Sequence, residues 1–181
     1  MTKEEMLNLA KEAGFDAAVI PAGDVPCDAS FRPYCAENLC GQYDSNYSCP
    51  PTCGTPEDME DKIKAGEIAL VLKTEWPIKD YKDVKAILHG KRSHNEAELQ
   101  LFEKLKAAGY EGFCIGASCC DLCNPCKGKL GEPCAFPDRQ FSCMSAYCID
   151  VSKLAELTGL RFAWVADTLF SYGMIVFSQK N

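Results

Sequence analysis

The sequence predicts one α/β or α+β domain over residues 1–181, with a mixed sheet of about four strands, flanking helices, and two cysteine-rich metal-binding loops at about 27–54 and 114–148. Helix-period and strand-type segments alternate along the chain, the order expected of elements arranged around a shared sheet. A length of 181 residues suits one domain or two small ones, and no linker or repeat divides the chain. An apolar content of 47% can fill a core, while 13 cysteines is far above ordinary use.

Residues 2–13 read as a helix: Thr2 and Glu5 form a capping box, Met6, Leu9, Ala10 and Ala13 share a face, and Gly14 stops it. Ala17–Ile20, closed by Pro21, reads as a strand. Residues 21–54 show no period and hold five cysteines. A loop of that length is either functional or disordered, and its cysteines favour function. Residues 55–65 read as a helix with Thr55 as N-cap, Pro56 in the first turn and Gly66 as stop. Ile68–Leu72 is a continuous apolar run of β-type residues and reads as a buried strand.

Residues 80–89 read as a helix capped by Asp80, with Tyr81, Val84 and Leu88 on one face and Gly90 ending it. A separate helix over 94–108 is expected from a Ser93–Glu96 capping box, an apolar face of Ala97, Leu101, Leu105 and Ala108, and a stop at Gly109. His94 then falls in a solvated first turn. Phe113–Ala117 reads as a strand delivering the chain into the second loop. Val151–Leu157 reads as a helix capped by Ser152 and stopped by Gly159. Leu169–Phe177 is the final strand, in which Gly173 marks a bulge or a close backbone approach.

The chemistry lies in the cysteine spacing. Cys120, Cys123 and Cys126 are each two residues apart, and Cys134 follows after seven more. A turning loop with that step directs its thiolates inward around a small inorganic core, as in ferredoxin-type runs. Zinc sites more often use separated Cys-x2-Cys pairs or added histidines. The first loop offers Cys35, Cys40 and Cys49 in a wider Cys-x4-Cys-x8-Cys-Pro-Pro pattern. Cys49 and Cys53 do not extend into a radical S-adenosylmethionine motif, because Pro56 stands where its third cysteine belongs. Cys27 and Cys53 each read as a buried thiol when taken alone.

Composition excludes other classes. The net charge is −7 without a basic block, which argues against nucleic acid as the partner. No apolar run has membrane-spanning length. The start, Met1-Thr2-Lys3-Glu4-Glu5, lacks an apolar run behind a basic segment, so the expectation is a cytoplasmic protein with reduced thiols. The odd cysteine count fits poorly with a fully paired disulfide framework. His89 and His94 are the only histidines, which excludes a His-rich metal site. Lys127 and Lys129, inside the second loop, read as solvated charge. There is no Gly-x-Gly-x2-Gly turn and no phosphate loop.

The motifs together resemble the family of predicted metal-binding proteins called domain of unknown function 2284. The matching residues are Cys35, Cys40, Tyr43, Tyr47 and Cys49-Pro50-Pro51; Gly116-Ala117, Cys120-Asp121-Leu122-Cys123, Cys126 and Pro133-Cys134; and Met144, Ala146 and Ile149-Asp150-Val151. The resemblance implies metal or iron–sulfur binding and names no reaction. The chain departs from it at Cys119, where proline is common, at Cys143, and at Cys148, where glycine is usual. A glycine-type position implies a backbone conformation that cysteine adopts at some cost.

The expectation is therefore an iron–sulfur protein with two 4Fe–4S clusters that serves a redox partner protein in electron transfer. Cys120, Cys123, Cys126 and Cys134 would hold one cluster. Cys35, Cys40 and Cys49 would hold the other, with a fourth ligand from Cys148, Cys143 or Cys53, Cys148 being counted in the ligand set. Cys27, Cys114 and Cys119 receive no role. Two alternatives remain open: a zinc-binding structural or interaction module, and an enzyme using an open iron site as a Lewis acid.

Overall fold

A computed structural model describes residues 1–179. The chain order is α1 (Lys3–Glu12), β1 (Asp16–Pro21), α2 (Arg32–Ala36), α3 (Pro56–Lys64), β2 (Ile68–Pro77), α4 (Val84–Ala107), β3 (Tyr110–Gly116), β4 (Ser142–Cys143), α5 (Val151–Thr158) and β5 (Thr168–Gln179). The strands form one five-stranded sheet in the order β1-β2-β5-β3-β4. All neighbours are antiparallel except the short parallel pair β3–β4, so the sheet is mixed. The additional strand, β4, has only two residues and carries no readable alternation of its own.

Alternation along the strands sorts the side chains into two cores. Ala69, Val71, Met174 and Val176 face one side and pack with Met59, Ile63 and Leu154 of α3 and α5. Leu70, Leu72, Ile175 and Phe177 face the other and pack with Met6 and Ala10 of α1 and Leu101, Phe102 and Leu105 of α4. This period-two division explains why β2 and β5 read as continuous apolar runs: both their faces are covered. Lys73 is the exception, buried but paired with Asp16 at 2.7 Å and Glu75 at 2.6 Å.

The local signals at the helix ends hold for α1 and α3. Both carry complete capping boxes, Thr2 with Glu5 and Thr55 with Asp58. Gly14, Gly109 and Gly159 take φ values of 89°, 90° and 71° after their helices. The cap of α5 is Asp150, whose side chain accepts the Lys153 N–H, rather than Ser152.

The expected pair of helices over 80–89 and 94–108 is one 24-residue helix, α4, capped by Asp83. Asp80 instead accepts the Lys82 N–H in the turn before it. Gly90 does not end the helix. It is buried under Trp76, and a Cβ there would lie 2.7 Å from Trp76 Cγ. Tyr81, Val84 and Leu88 are exposed, so they do not form a core face.

His94 is the other correction: its side chain is fully buried, not solvated. Nδ1 pairs with Thr74 Oγ1 at 2.8 Å, and Nε2 lies 3.7 Å from Glu98 Oε2. Gly173 makes the room, since any Cβ there would collide with the His94 ring and the Glu98 carboxyl. The register through Leu72, Gly173 and Met174 is unbroken, so Gly173 marks close approach and not a bulge. Burial holds the His94 imidazole down to about 3 and pushes the Glu98 carboxyl well above the usual carboxylate range. Among the described residues no helix is long and apolar enough to cross a membrane.

The Glu98 shift gives a pH prediction. Its folded pKa is raised above the unfolded value, so its contribution to stability is intact below about 4.5 and is lost progressively as pH rises. Glu98→Gln removes that loss. The variant should gain stability relative to wild type as pH increases, at up to about 1.4 kcal/mol per pH unit. Urea unfolding across the range from about pH 5 to about pH 7 checks this, and a pH-independent difference would contradict it.

Candidate metal centre

The second cysteine loop is anchored by α4. Gly116, at the end of β3, has Phe141 Cε2 at 2.7 Å and Asn95 Oδ1 at 2.8 Å from where a Cβ would stand. That closeness lets buried Asn95 accept the Ala117 N–H at 2.8 Å and donate to Ser118 Oγ at 2.9 Å. The chain therefore enters the cysteine run in a fixed direction. Beyond Cys126, the short 3-10 turn Lys127–Leu130 closes on Gly131, which takes a left-handed φ of 68°. Lys127 is a solvent-exposed loop charge, as its place in the sequence suggests, and pairs with the likewise exposed Glu132 at 2.9 Å. The result is that Cys120, Cys123, Cys126 and Cys134 line one small cleft, walled also by Ser48 and Leu122.

The first loop is held by polar contacts rather than by apolar packing. Cys35 lies on α2, Cys40 is exposed and Cys49 is buried. Arg32 of α2 donates to Gly54 O at 2.7 Å and to Ala146 O at 2.9 Å, which fixes α2 over the turn following β4. Cys143 ends β4 and Cys148 lies in that turn, and Cys35 Sγ sits 3.8 Å from the turn's Ser145 carbonyl oxygen. Cys148 has a φ of 55°, the left-handed conformation implied for a position where glycine is usual. Its side chain is buried, with the Cys27 and Cys35 thiols near it. Cys53 lies beside Arg32, Cys49 and Cys35.

The two loops meet at Ser48. Its Oγ accepts the Cys120 N–H at 3.1 Å and donates to Asn46 Oδ1 at 2.7 Å, and the side chain is 1% exposed. Tyr47 adds a second tie, its hydroxyl donating to Glu132 O at 2.7 Å while its carbonyl accepts from Gln140 Nε2 at 3.3 Å. Cys119 faces Cys49. Hydrogen bonding from Cys119 is the largest influence on Cys49, pulling its thiol down to about 6 against the opposing effect of burial. The same contact holds the Cys119 thiol well above the ordinary range.

All 13 cysteines are free thiols. Burial raises Cys27, Cys35, Cys53, Cys114, Cys120 and Cys143, and N–H groups aimed at sulfur oppose it at particular places. Burial pushes Cys143 up to about 11, while the Ala146 and Ser145 N–H groups lower it. Burial likewise raises Cys120, against the Leu122 and Phe141 N–H groups. Such donors stabilise an anionic sulfur and are one lever on the potential of a bound cluster. Cys114 of β3 belongs to the core on the α1 and α4 face of the sheet, next to Glu98.

Cys35 and Cys49 thus fall in one neighbourhood with Cys40, Cys119 and Cys143, and the four cysteines of the second run fall in another. The residue that spacing rules pass over is Cys119. Its one signal in the sequence is that it stands directly beside Cys120. Among the described residues, no group of three or more Cys, His, Asp or Glu side chains is gathered about a point suited to a single ion. The donor set is soft thiolate throughout, which fits iron–sulfur clusters and zinc and does not fit calcium or magnesium.

The Ser48 joint has a measurable consequence. Ser48→Ala leaves the Cys120 N–H without its partner in a partly buried setting. Stability should fall by about 1–3 kcal/mol, read as a lower urea midpoint. An unchanged midpoint would show that the joint is not what holds the loops.

No curated protein and no solved structure matches the chain. Residues 18–177 match a family model described as predicted metal-binding protein (DUF2284). The match runs from β1 to β5 and contains both cysteine loops, so this chain is a member of the DUF2284 family of predicted metal-binding proteins.

Proposed function

We propose that this chain is a cytoplasmic iron–sulfur protein with two 4Fe–4S clusters, serving a partner protein in electron transfer. The observation that carries the reading is the cleft lined by Cys120, Cys123, Cys126 and Cys134. Four thiols around a shared space match a cubane, in which each iron takes one thiolate. A zinc ion instead draws four sulfurs to about 2.3 Å of one point. The second cluster would use Cys35, Cys40 and Cys49, with a fourth ligand taken from the cysteines around them. The chain's own residues contribute burial on one side, through Tyr47, Ser48 and Leu122, and N–H donors to Cys120 and Cys143.

The partner reading rests on the same loops. Cys40 and its neighbour Leu39, which is 89% exposed, bring the first centre close to solvent. An electron can then pass to a docked protein without any opening of the fold.

Replacing a ligand in the second run tests the proposal. Cys123→Ser should lower iron and acid-labile sulfide to about half of wild type, leaving one cluster. Iron content equal to wild type would remove Cys123, and with it the ligand set of that cleft, from the account.

A further inference from the structure

We infer that Cys119 is the fourth thiolate of the first centre, so that the vicinal pair Cys119–Cys120 joins two centres through one peptide unit. This inference rests on the iron–sulfur reading above. The dipeptides Ser48-Cys49 and Cys119-Cys120 lie against one another. Ser48 Oγ accepts the Cys120 N–H at 3.1 Å, and the Cys119 thiol faces Cys49 Sγ. Cys119 is thereby held beside a candidate ligand of the first loop by a contact that does not depend on metal.

Adjacent side chains on a non-helical backbone leave it in different directions. Cys120 points into the cleft with Cys123, Cys126 and Cys134, and Cys119 is not one of the walls of that cleft. Its neighbours are Cys49 first, then Cys143 and Cys40. A vicinal pair whose members face two separate groups of thiols is suited to two centres and poorly suited to one.

The rivals for the position are placed less well. Cys148 neighbours Cys27 and Cys35 and sits in a left-handed turn at 1% exposure. Cys53 neighbours Cys49 and Cys35, but the Arg32 guanidinium beside it acts on its thiol more strongly than either. Cys143 also neighbours Cys49 and Cys35, but its sulfur accepts hydrogen bonds from the Ser145 and Ala146 N–H groups of its own segment, whereas the Cys119 thiol is hydrogen-bonded to Cys49 itself. Ligand exchange between loops, with one cysteine of a run serving the other cluster, is an arrangement known for paired clusters.

The test uses the full chain purified without oxygen, read by iron, sulfide and the paramagnetic resonance spectrum of the dithionite-reduced protein. Wild type should show two interacting signals. Cys119→Ala should hold about half the wild-type iron and sulfide and show the remaining signal without the interaction. Cys119→Ser, which keeps an oxygen donor at the same place, should show one signal shifted and the other unchanged. Should Cys119→Ala not fold, the serine variant decides: a spectrum identical to wild type overturns the inference. Wild-type iron in Cys119→Ala with a halving in Cys143→Ala or Cys148→Ala also overturns it and gives the position to that residue. Wild-type protein with no sulfide overturns the iron–sulfur reading itself, a different result from a sulfide-replete protein indifferent to Cys119.

Discussion

The buried hydroxyl of Ser48 accepts the Cys120 N–H and donates to Asn46, and through that joint two otherwise separate loops become one region. Residues 22–55 and 117–141 contain only short turns and the brief helix α2. Their backbone groups cannot be satisfied by ladders of their own, so they depend on such cross-links. Tyr47, Arg32 and Asn95 supply the others, and each reaches a backbone group of a different segment. Cysteine-rich loops gain little from apolar burial, and a bound inorganic core would add ligand bonds to the same scaffold.

The sheet supplies the rigid side of this arrangement. β5 runs through its centre, paired along 10 residues with β2 and flanked on the other edge by β3. β3 ends at Gly116 against Asn95 and Phe141, so its direction is fixed where the second cysteine run begins. On the α4 face, His94 and Glu98 lie over Gly173, with His94 Nε2 lacking a hydrogen bond among the described residues and the Ile115 and Met174 N–H groups and the Cys114 thiol directed at the Glu98 carboxyl. Unpaired polar groups in a core oppose folding. Burial disfavours the charged form of both groups, holding the imidazole down and pushing the carboxyl up.

Much of this was legible in the sequence because it is local. Thr2 with Glu5 and Thr55 with Asp58 specify helix starts through neighbours three residues away. The step between Cys120, Cys123 and Cys126 likewise acts within one turn of chain. The left-handed φ at Cys148 was implied by the family resemblance, in which glycine is usual at that position. What was hidden depends on partners distant in sequence. Gly90 reads as a stop until Trp76 is found packed on it, and the helix then continues. Ser93 reads as a cap for the same reason. His94 reads as solvated because nothing nearby reveals the space left by Gly173. Cys119 carries no signal beyond standing next to Cys120, and the Ser48 joint is what brings it to Cys49. The pairing of β4 with β3 is too short to produce a pattern.

The central claim is that these thiols hold iron and sulfide. The most direct measurement is the iron, acid-labile sulfide and zinc content per chain of protein purified without oxygen, together with its visible absorption spectrum. The account predicts about eight iron and about eight sulfide per chain and a brown protein that bleaches on reduction. About one or two zinc per chain, no sulfide and a colourless protein would contradict it and make the loops a zinc-stabilised structural module.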